Sequence, residues 1–233
     1  MNSFIDPNVP YIKLFGFEHI LYVSIISLGF VVYLNRNRLK HHQKRIRILL
    51  FTLSLFQQLL LYSWYSFMTN FDLSQALPLH LCRISTLLGL IYLVTLNSKL
   101  MDFVFYFGLF ALGSFALPIN IHPLSHALGI SYMINHTITL LFPFIAWHAF
   151  DWRPHASHLK DVMIAFLMYF MISVSANTLF SGNYFYLTQR PFLKELPTLQ
   201  YYGLTIIFSL SLFVLAYLFI DRIILEKEKD STQ

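Results

Sequence analysis

The 233-residue sequence predicts an all-α membrane bundle of seven transmembrane helices, and three observations predict it. Long apolar stretches take up nearly the whole chain. The composition agrees, at 57% hydrophobic and 12% charged residues with a mean hydropathy of +0.60. Lys and Arg gather in alternate connections between the stretches. A helix needs about 20 mostly apolar residues to cross a hydrocarbon core of about 30 Å. Seven stretches approach that length, at 17–34, 46–67, 79–96, 101–118, 131–149, 160–180 and 201–221. Their connections are too short for a separate soluble domain, so 1–233 reads as one transmembrane domain.

In chain order, the segment MNSFIDPNVPYIKLFGFEH lacks a basic run leading into an apolar one, so no cleavable signal peptide is expected. The first stretch, 17–34, ends in a basic connection carrying Arg36, Arg38, Lys40, Lys44, Arg45 and Arg47. The second, 46–67, closes on Tyr62, Trp64 and Tyr65, residue types that favour the membrane interface. Before the third, 79–96, Pro78 suits the first position of a helix, where its missing N–H is not needed. The fourth, 101–118, stops at Pro118. Trp147 and Trp152 flank the end of the fifth, 131–149, as a second aromatic belt. The sixth, 160–180, runs past Asn177 into the connection SGNYFYLTQRP, and the seventh, 201–221, leads into Arg222, Lys227 and Lys229.

Charge sets the expected orientation. Of the sixteen Lys and Arg, twelve fall on one side of the predicted bundle and three on the other, with Arg83 inside a span. The positive-inside rule then puts the N-terminus outside and the C-terminus inside, as seven crossings require. The net charge of +5 therefore belongs to membrane loops and does not argue for nucleic acid as a partner.

With that topology, chemistry-bearing residues collect at the outer end. LSQALPLHLCRIS brings His80, the single cysteine Cys82 and Arg83 to the start of the third span. INIHPLSHALGISYMINHTITLLFP contributes His122, His126, Asn135 and His136. An ionisable side chain within a span needs a partner or a purpose, which singles out His136. Blander readings compete: Cys82 packs as a small apolar residue, Arg83 snorkels to headgroups, and His122 and His126, beside Pro123, are solvated. His80 and Cys82 are two residues apart, about 200° around a helix, so a thiol–imidazole pair must be formed between helices. His80 and Arg83 are three apart and share a face. The first-turn dipole is expected to have faded by Cys82.

The runs LPLHLCRIS, NHTITLLFP and SGNYFYLTQRP resemble the YwaF-like bacterial integral membrane proteins, over nearly the whole chain. Those are distantly related to transmembrane protein 164, an animal acyltransferase of ether phospholipids. The resemblance implies a catalytic Cys/His pair, with the histidine at His136 and the partner in the His80–Cys82 stretch. Either Cys82 is the nucleophile or His80 is the key residue of that span. It also implies a multi-pass protein of a bacterial plasma membrane. The activity expected is a lipid acyltransferase or transacylase in which Cys82 attacks an ester, His136 acts as base and then acid, and His80 acts with Arg83 on the phosphate or oxyanion. Asn135, Asn177, Asn183 and Arg190 complete the expected lipid-binding set. Acyl-CoA is cytosolic, so a site open to the outer leaflet takes its acyl chain from phospholipid. Membrane phospholipids are the expected partners, no cofactor is expected, and nothing in the sequence points to a protein partner. Two other classes fit part of the pattern. One is a metal-dependent lipid hydrolase holding zinc with His80, His122, His126 and His136, although no HExxH is present. The other is a transporter or binding protein with Gln57, Gln58 and Asn177 lining a cavity.

Overall fold

The computed structural model describes residues 3–231; the side chains of Ile26 and 223–231 lie outside that description, and with them Lys227 and Lys229 of the charge count. Among the described residues every regular element is helical. The helices are α1 (Phe17–Ser24), α2 (Ile26–Leu34), α3 (Arg36–Leu39), α4 (Gln43–Met68), α5 (Leu81–Thr95), α6 (Ser98–Gly108), α7 (Phe110–Ala116), α8 (Ala127–Ala149), α9 (Ala156–Phe180) and α10 (Thr198–Ser231), with 3₁₀ turns at Lys40–His42 and Tyr184–Tyr186. The breaks between α1 and α2 and between α6 and α7 are single tightened steps, in which Ile25 and Leu109 keep right-handed helical dihedrals.

Among the described residues six helical segments are long and apolar enough to cross a membrane: Phe17–Leu34, Arg36–Met68, Ser98–Ala116, Ala127–Ala149, Ala156–Phe180 and Thr198–Arg222. The chain is thus a multi-pass membrane protein. The stretch expected at 79–96 is shorter. α5 has 15 residues, about 23 Å of helix at 1.5 Å per residue. Both ends are trimmed for local reasons. His80 is extended at φ −89°, ψ 131°, and Leu96 closes the helix in the left-handed region at φ 53°. Asn97 then caps α6 by accepting from the Lys99 N–H at 3.0 Å. Pro78 lies three residues ahead of α5 and not at its first position.

The chain divides into two compact units, 1–153 and 154–233. In the first, α8 is central and packs against α4, α5, α6 and α7. Small residues let it approach: a Cβ on Gly89 of α5 would come within 2.9 Å of the Phe142 ring, and one on Gly108 within 3.0 Å of Thr139. Phe142, Ala146 and Ala149 are buried along this seam. The second unit pairs α9 with α10 around aromatic contacts of Phe166 with Phe213 and Phe170 with Tyr202.

The N-terminal segment closes over one end of the first unit. The Phe4 carbonyl accepts from Ala127 N–H at 2.8 Å, Trp64 Nε1 donates to the Ile5 carbonyl at 3.0 Å, and Ile12 N–H donates to Ile121 at 2.9 Å. Trp64 and Tyr65 are therefore buried, not part of an interfacial belt. Trp152 is buried as well, because its indole donates to Asp102, itself buried in α6, at 3.0 Å. An indole N–H or a carboxylate in an apolar interior needs such a partner, and that need outweighs the interfacial preference of tryptophan.

Candidate active site at the junction of α5 and α8

α5 begins at Leu81, so Cys82 is its second residue and lies in the first turn. The sequence had placed it beyond the reach of the helix dipole. The extended backbone at His80 delays the helix start and brings the thiol to it. The backbone N–H groups of Cys82 and Arg83 face the sulfur. The Arg83 and Ile84 N–H groups also donate to the His80 carbonyl, at 2.8 and 3.2 Å, which closes this first turn. Cys82 is a free cysteine, half-buried.

Asn135 fixes α8 against this turn. Its Nδ2 donates to Thr86 Oγ1 at 2.6 Å and to the Cys82 carbonyl at 3.3 Å. Thr86 Oγ1 itself donates to the same Cys82 carbonyl at 3.0 Å, so it accepts from Asn135 and orients the amide. The network continues through Gln57, which donates to Ser131 at 2.8 Å and accepts from Gln58 at 2.8 Å. Gln57 and Gln58 thus bind each other and α8. Asn135, expected among the lipid-binding residues, holds the Cys82 backbone and keeps only Oδ1 without a partner.

His136 follows at once on α8. Its Nδ1 lies 3.0 Å from the Tyr132 carbonyl, an acceptor, so Nδ1 carries the proton and Nε2 the lone pair. The ring stacks on Tyr132 at 3.9 Å and meets Phe115 edge-on at 5.8 Å, which fixes its plane. His80 interacts electrostatically with His136, and the Arg83 charge acts on Cys82, His80 and His136 alike. These four residues are the part of the expected site that the fold assembles.

Arg83 does not snorkel. Nη1 donates to the Gln75 and Leu77 carbonyls at 2.6 and 3.0 Å, and Nη2 donates to the Tyr65 hydroxyl at 2.8 Å. The guanidinium organises the connection between α4 and α5, and no carboxylate is among these partners. Its positive charge therefore remains uncompensated beside the thiol.

His122 and His126 were expected to be solvated, and both are buried. Their rings stack at 4.2 Å with an interplanar angle of 19°, under Trp64 and Tyr11. His126 is the N-cap of α8, its Nδ1 accepting from Leu128 N–H at 3.1 Å. Burial lowers the His122 pKa to about 4, helped by the neighbouring His126. Burial also lowers that of His126, against the pull of Asp6. The unfolded chain, with histidine near pKa 6.5, therefore binds protons at pH values where the folded chain does not. Stability contributed by neutral His122 and His126 is full above about pH 6.5 and is lost as pH falls toward 4. We expect the thermal midpoint to drop across that window, and His122→Gln with His126→Asn, which keeps a cap acceptor, to flatten the profile. A midpoint independent of pH in the parent protein contradicts this.

The remaining expected residues have local partners. In the second unit, Asn177 clamps the Tyr184 backbone at both ends, donating to its carbonyl at 2.9 Å and accepting from its N–H at 2.7 Å. Asn183 Oδ1 accepts from the Thr188 and Gln189 N–H groups at 3.2 and 2.9 Å. Arg190 donates to the Leu196 carbonyl at 2.6 Å and to Thr198 Oγ1 at 2.8 Å, and lies over the Tyr201 ring. The NYxxLxxRP pattern is loop architecture in this fold. The four-histidine zinc arrangement is not assembled: His122 pairs with His126 and His80 with His136. Among the described residues no three His, Cys, Asp or Glu side chains form a group that could hold a metal ion. The sequence reading missed His19, buried in α1, which accepts from Phe15 N–H at 3.0 Å and donates to the Phe115 carbonyl at 2.8 Å.

Neither a curated protein nor a solved structure matches the chain. The family model described as the TMEM164 family matches residues 14–220, the stretch that carries the α5–α8 junction and, among the described residues, five membrane-length segments and nearly all of the sixth. The chain, a multi-pass membrane protein, belongs to the TMEM164 family.

Proposed function

We propose that this protein is a membrane-embedded lipid transacylase that moves an acyl chain from a phospholipid to a lysolipid without CoA, in the plasma membrane of a bacterium and at its outer leaflet. The observation that carries the reading is the bond from Asn135 to the Cys82 carbonyl, which sets the nucleophile's turn against the helix bearing His136. Asn135 is a positioning residue in this account.

The steps balance with the groups at hand. Cys82 Sγ attacks the ester carbonyl of the donor phospholipid as its proton passes to His136 Nε2. The tetrahedral oxyanion is stabilised by His80 and the Arg83 charge, in a site of low dielectric where such donors act strongly. Collapse breaks the ester C–O bond, and the leaving lipid alkoxide takes the proton from His136. The acyl chain is then a thioester on Cys82. The hydroxyl of an acceptor lysolipid attacks it, gives its proton to His136, and the thiolate regains that proton. The uncompensated guanidinium of Arg83 suits a lipid phosphate, and Asn177, Asn183 and Arg190 shape the 181–197 connection as lipid-facing architecture. Membrane phospholipids are the partners, and no cofactor enters a step.

Purified protein given phospholipid and lysolipid but no CoA transfers the acyl chain under this reading, and absence of transfer in every lipid class tried overturns it. Arg83→Lys is expected to raise the apparent KM for lipid while retaining much of kcat, the pattern of lost uniform binding. A lysine cannot reproduce the fork that holds Gln75, Leu77 and Tyr65 together, so the midpoint of thermal unfolding should fall as well. Unchanged kinetics would remove Arg83 from the binding role.

A further inference from the structure

At the other end of α4 from Cys82 lies a second cluster of charge. The chain from Arg36 to Arg47 carries six Lys and Arg residues and two histidines, and the sequence has no Asp or Glu from 19 to 71. The cations divide into two sets. Arg47 donates to the carbonyls of Leu93 and Val94, Lys40 pairs with Asp151, and Arg36 lies over Tyr33 and donates to its carbonyl. His41, Lys44 and Arg45 have no hydrogen-bond or ion-pair partner among the described residues. Those three, with His42, line a cavity of about 280 Å³. Two of the three cations of this segment whose side chains have no partner among the described residues, Lys44 and Arg45, thus face a common space, and Arg38 is the third.

Position says what fills it. Lys44 and Arg45 are each four residues before Ile48 and Leu49, so each cation stands directly above an apolar side chain on one face of α4. Ile48 and Leu49 are 58% and 57% exposed. The exposed stripe continues one heptad on, at Leu55 and Phe56. An anion above an exposed apolar stripe in a membrane-length helix is the signature of an amphiphile, with its head at 41–45 and its chain along 48–56.

We infer that the cavity lined by His41, His42, Lys44 and Arg45 is a binding site for the headgroup of an anionic phospholipid. The ligand is a phosphodiester, held at the end of α4 away from the transacylase site and independent of it. Each basic residue near the surface adds to the attraction for an anionic lipid, and the two on α4 together account for about 25-fold in retention.

The full-length protein is purified in detergent with phosphatidylglycerol and phosphatidylcholine, and retained lipid is counted by native mass spectrometry. In detergent the membrane orientation that these charges also govern has no bearing on the result. We expect the parent protein to retain phosphatidylglycerol over phosphatidylcholine. The double variant Lys44→Gln, Arg45→Gln should lose about 25-fold of phosphatidylglycerol retention with phosphatidylcholine unchanged. Arg45→Lys alone should keep it. Equal retention of the two lipids by the parent protein overturns the inference without recourse to any variant. So does phosphatidylglycerol retention that the double variant leaves intact. Displacement of phosphatidylglycerol by millimolar inorganic phosphate would assign the cavity to free phosphate and overturn the lipid assignment.

Discussion

Replacing Cys82 with Ala is expected to abolish acyl transfer, by more than about 10³-fold, while leaving the fold intact. The thiol forms and breaks the only covalent bond to the acyl chain, so no neighbour substitutes for it. Cys82 is half-buried, and the contacts that set its turn run through its carbonyl to Thr86 and Asn135. A side-chain truncation therefore removes the nucleophile and spares the architecture. His136→Ala should approach the same loss, because the Tyr132 carbonyl reserves the Nε2 lone pair for proton transfer. Transfer assays on both variants, beside their unfolding midpoints, separate lost chemistry from lost structure. A fully active Cys82→Ala would move the chemistry to His80, the other reading of this stretch.

The largest structural effect is expected at Gly129. Its backbone lies against the turn that leads into α8. An added Cβ would overlap the Pro123 carbonyl oxygen, with Pro123 C at 2.6 Å and His122 O at 2.8 Å. These are backbone atoms and cannot rotate away. The same region anchors α1, since the Tyr22 hydroxyl lies 3.0 Å from the His122 carbonyl and 3.2 Å from that of Gly129. Gly129→Ala should cost on the order of 3 kcal/mol, at the upper end of overpacking penalties. It should also disturb the His126 cap and the N-terminal segment above it. Thermal unfolding of the purified variant checks this, and an unchanged midpoint would mean that the 122–129 turn is far softer than its geometry states.

Long apolar runs made the helices legible from sequence, because hydrocarbon thickness leaves little choice of length. α8 and α9 are examples, at 23 and 25 residues. The shortness of α5 was not legible, since it depends on an extended His80 and a left-handed Leu96, neither of which hydropathy records. The grouping of His80, Cys82, Arg83 and His136 was readable as residues of one membrane face. Their actual linkage was not. Asn135 reads as a polar ligand in the sequence, yet it bonds to the Cys82 carbonyl, and backbone acceptors carry no side-chain signal. Burial of His122 and His126 was missed for a related reason. The segment that covers them, with Phe4, Ile5, Tyr11 and Ile12, is too short and irregular to show a periodicity. The polar NYxxLxxRP residues were read as ligand contacts because polar loop side chains that satisfy their own backbone look the same in sequence as those that await a substrate.

Intact-protein mass spectrometry reads out a covalent acyl-enzyme on Cys82 without any coupled assay. The protein is incubated with phospholipid in the absence of lysolipid acceptor and of CoA, then acid-quenched. We expect added mass equal to one fatty acyl group, released by neutral hydroxylamine, mapped to Cys82 and absent from Cys82→Ala. Transfer of the acyl chain to lysolipid by a protein that never carries that mass, or that carries it on another residue, would contradict it.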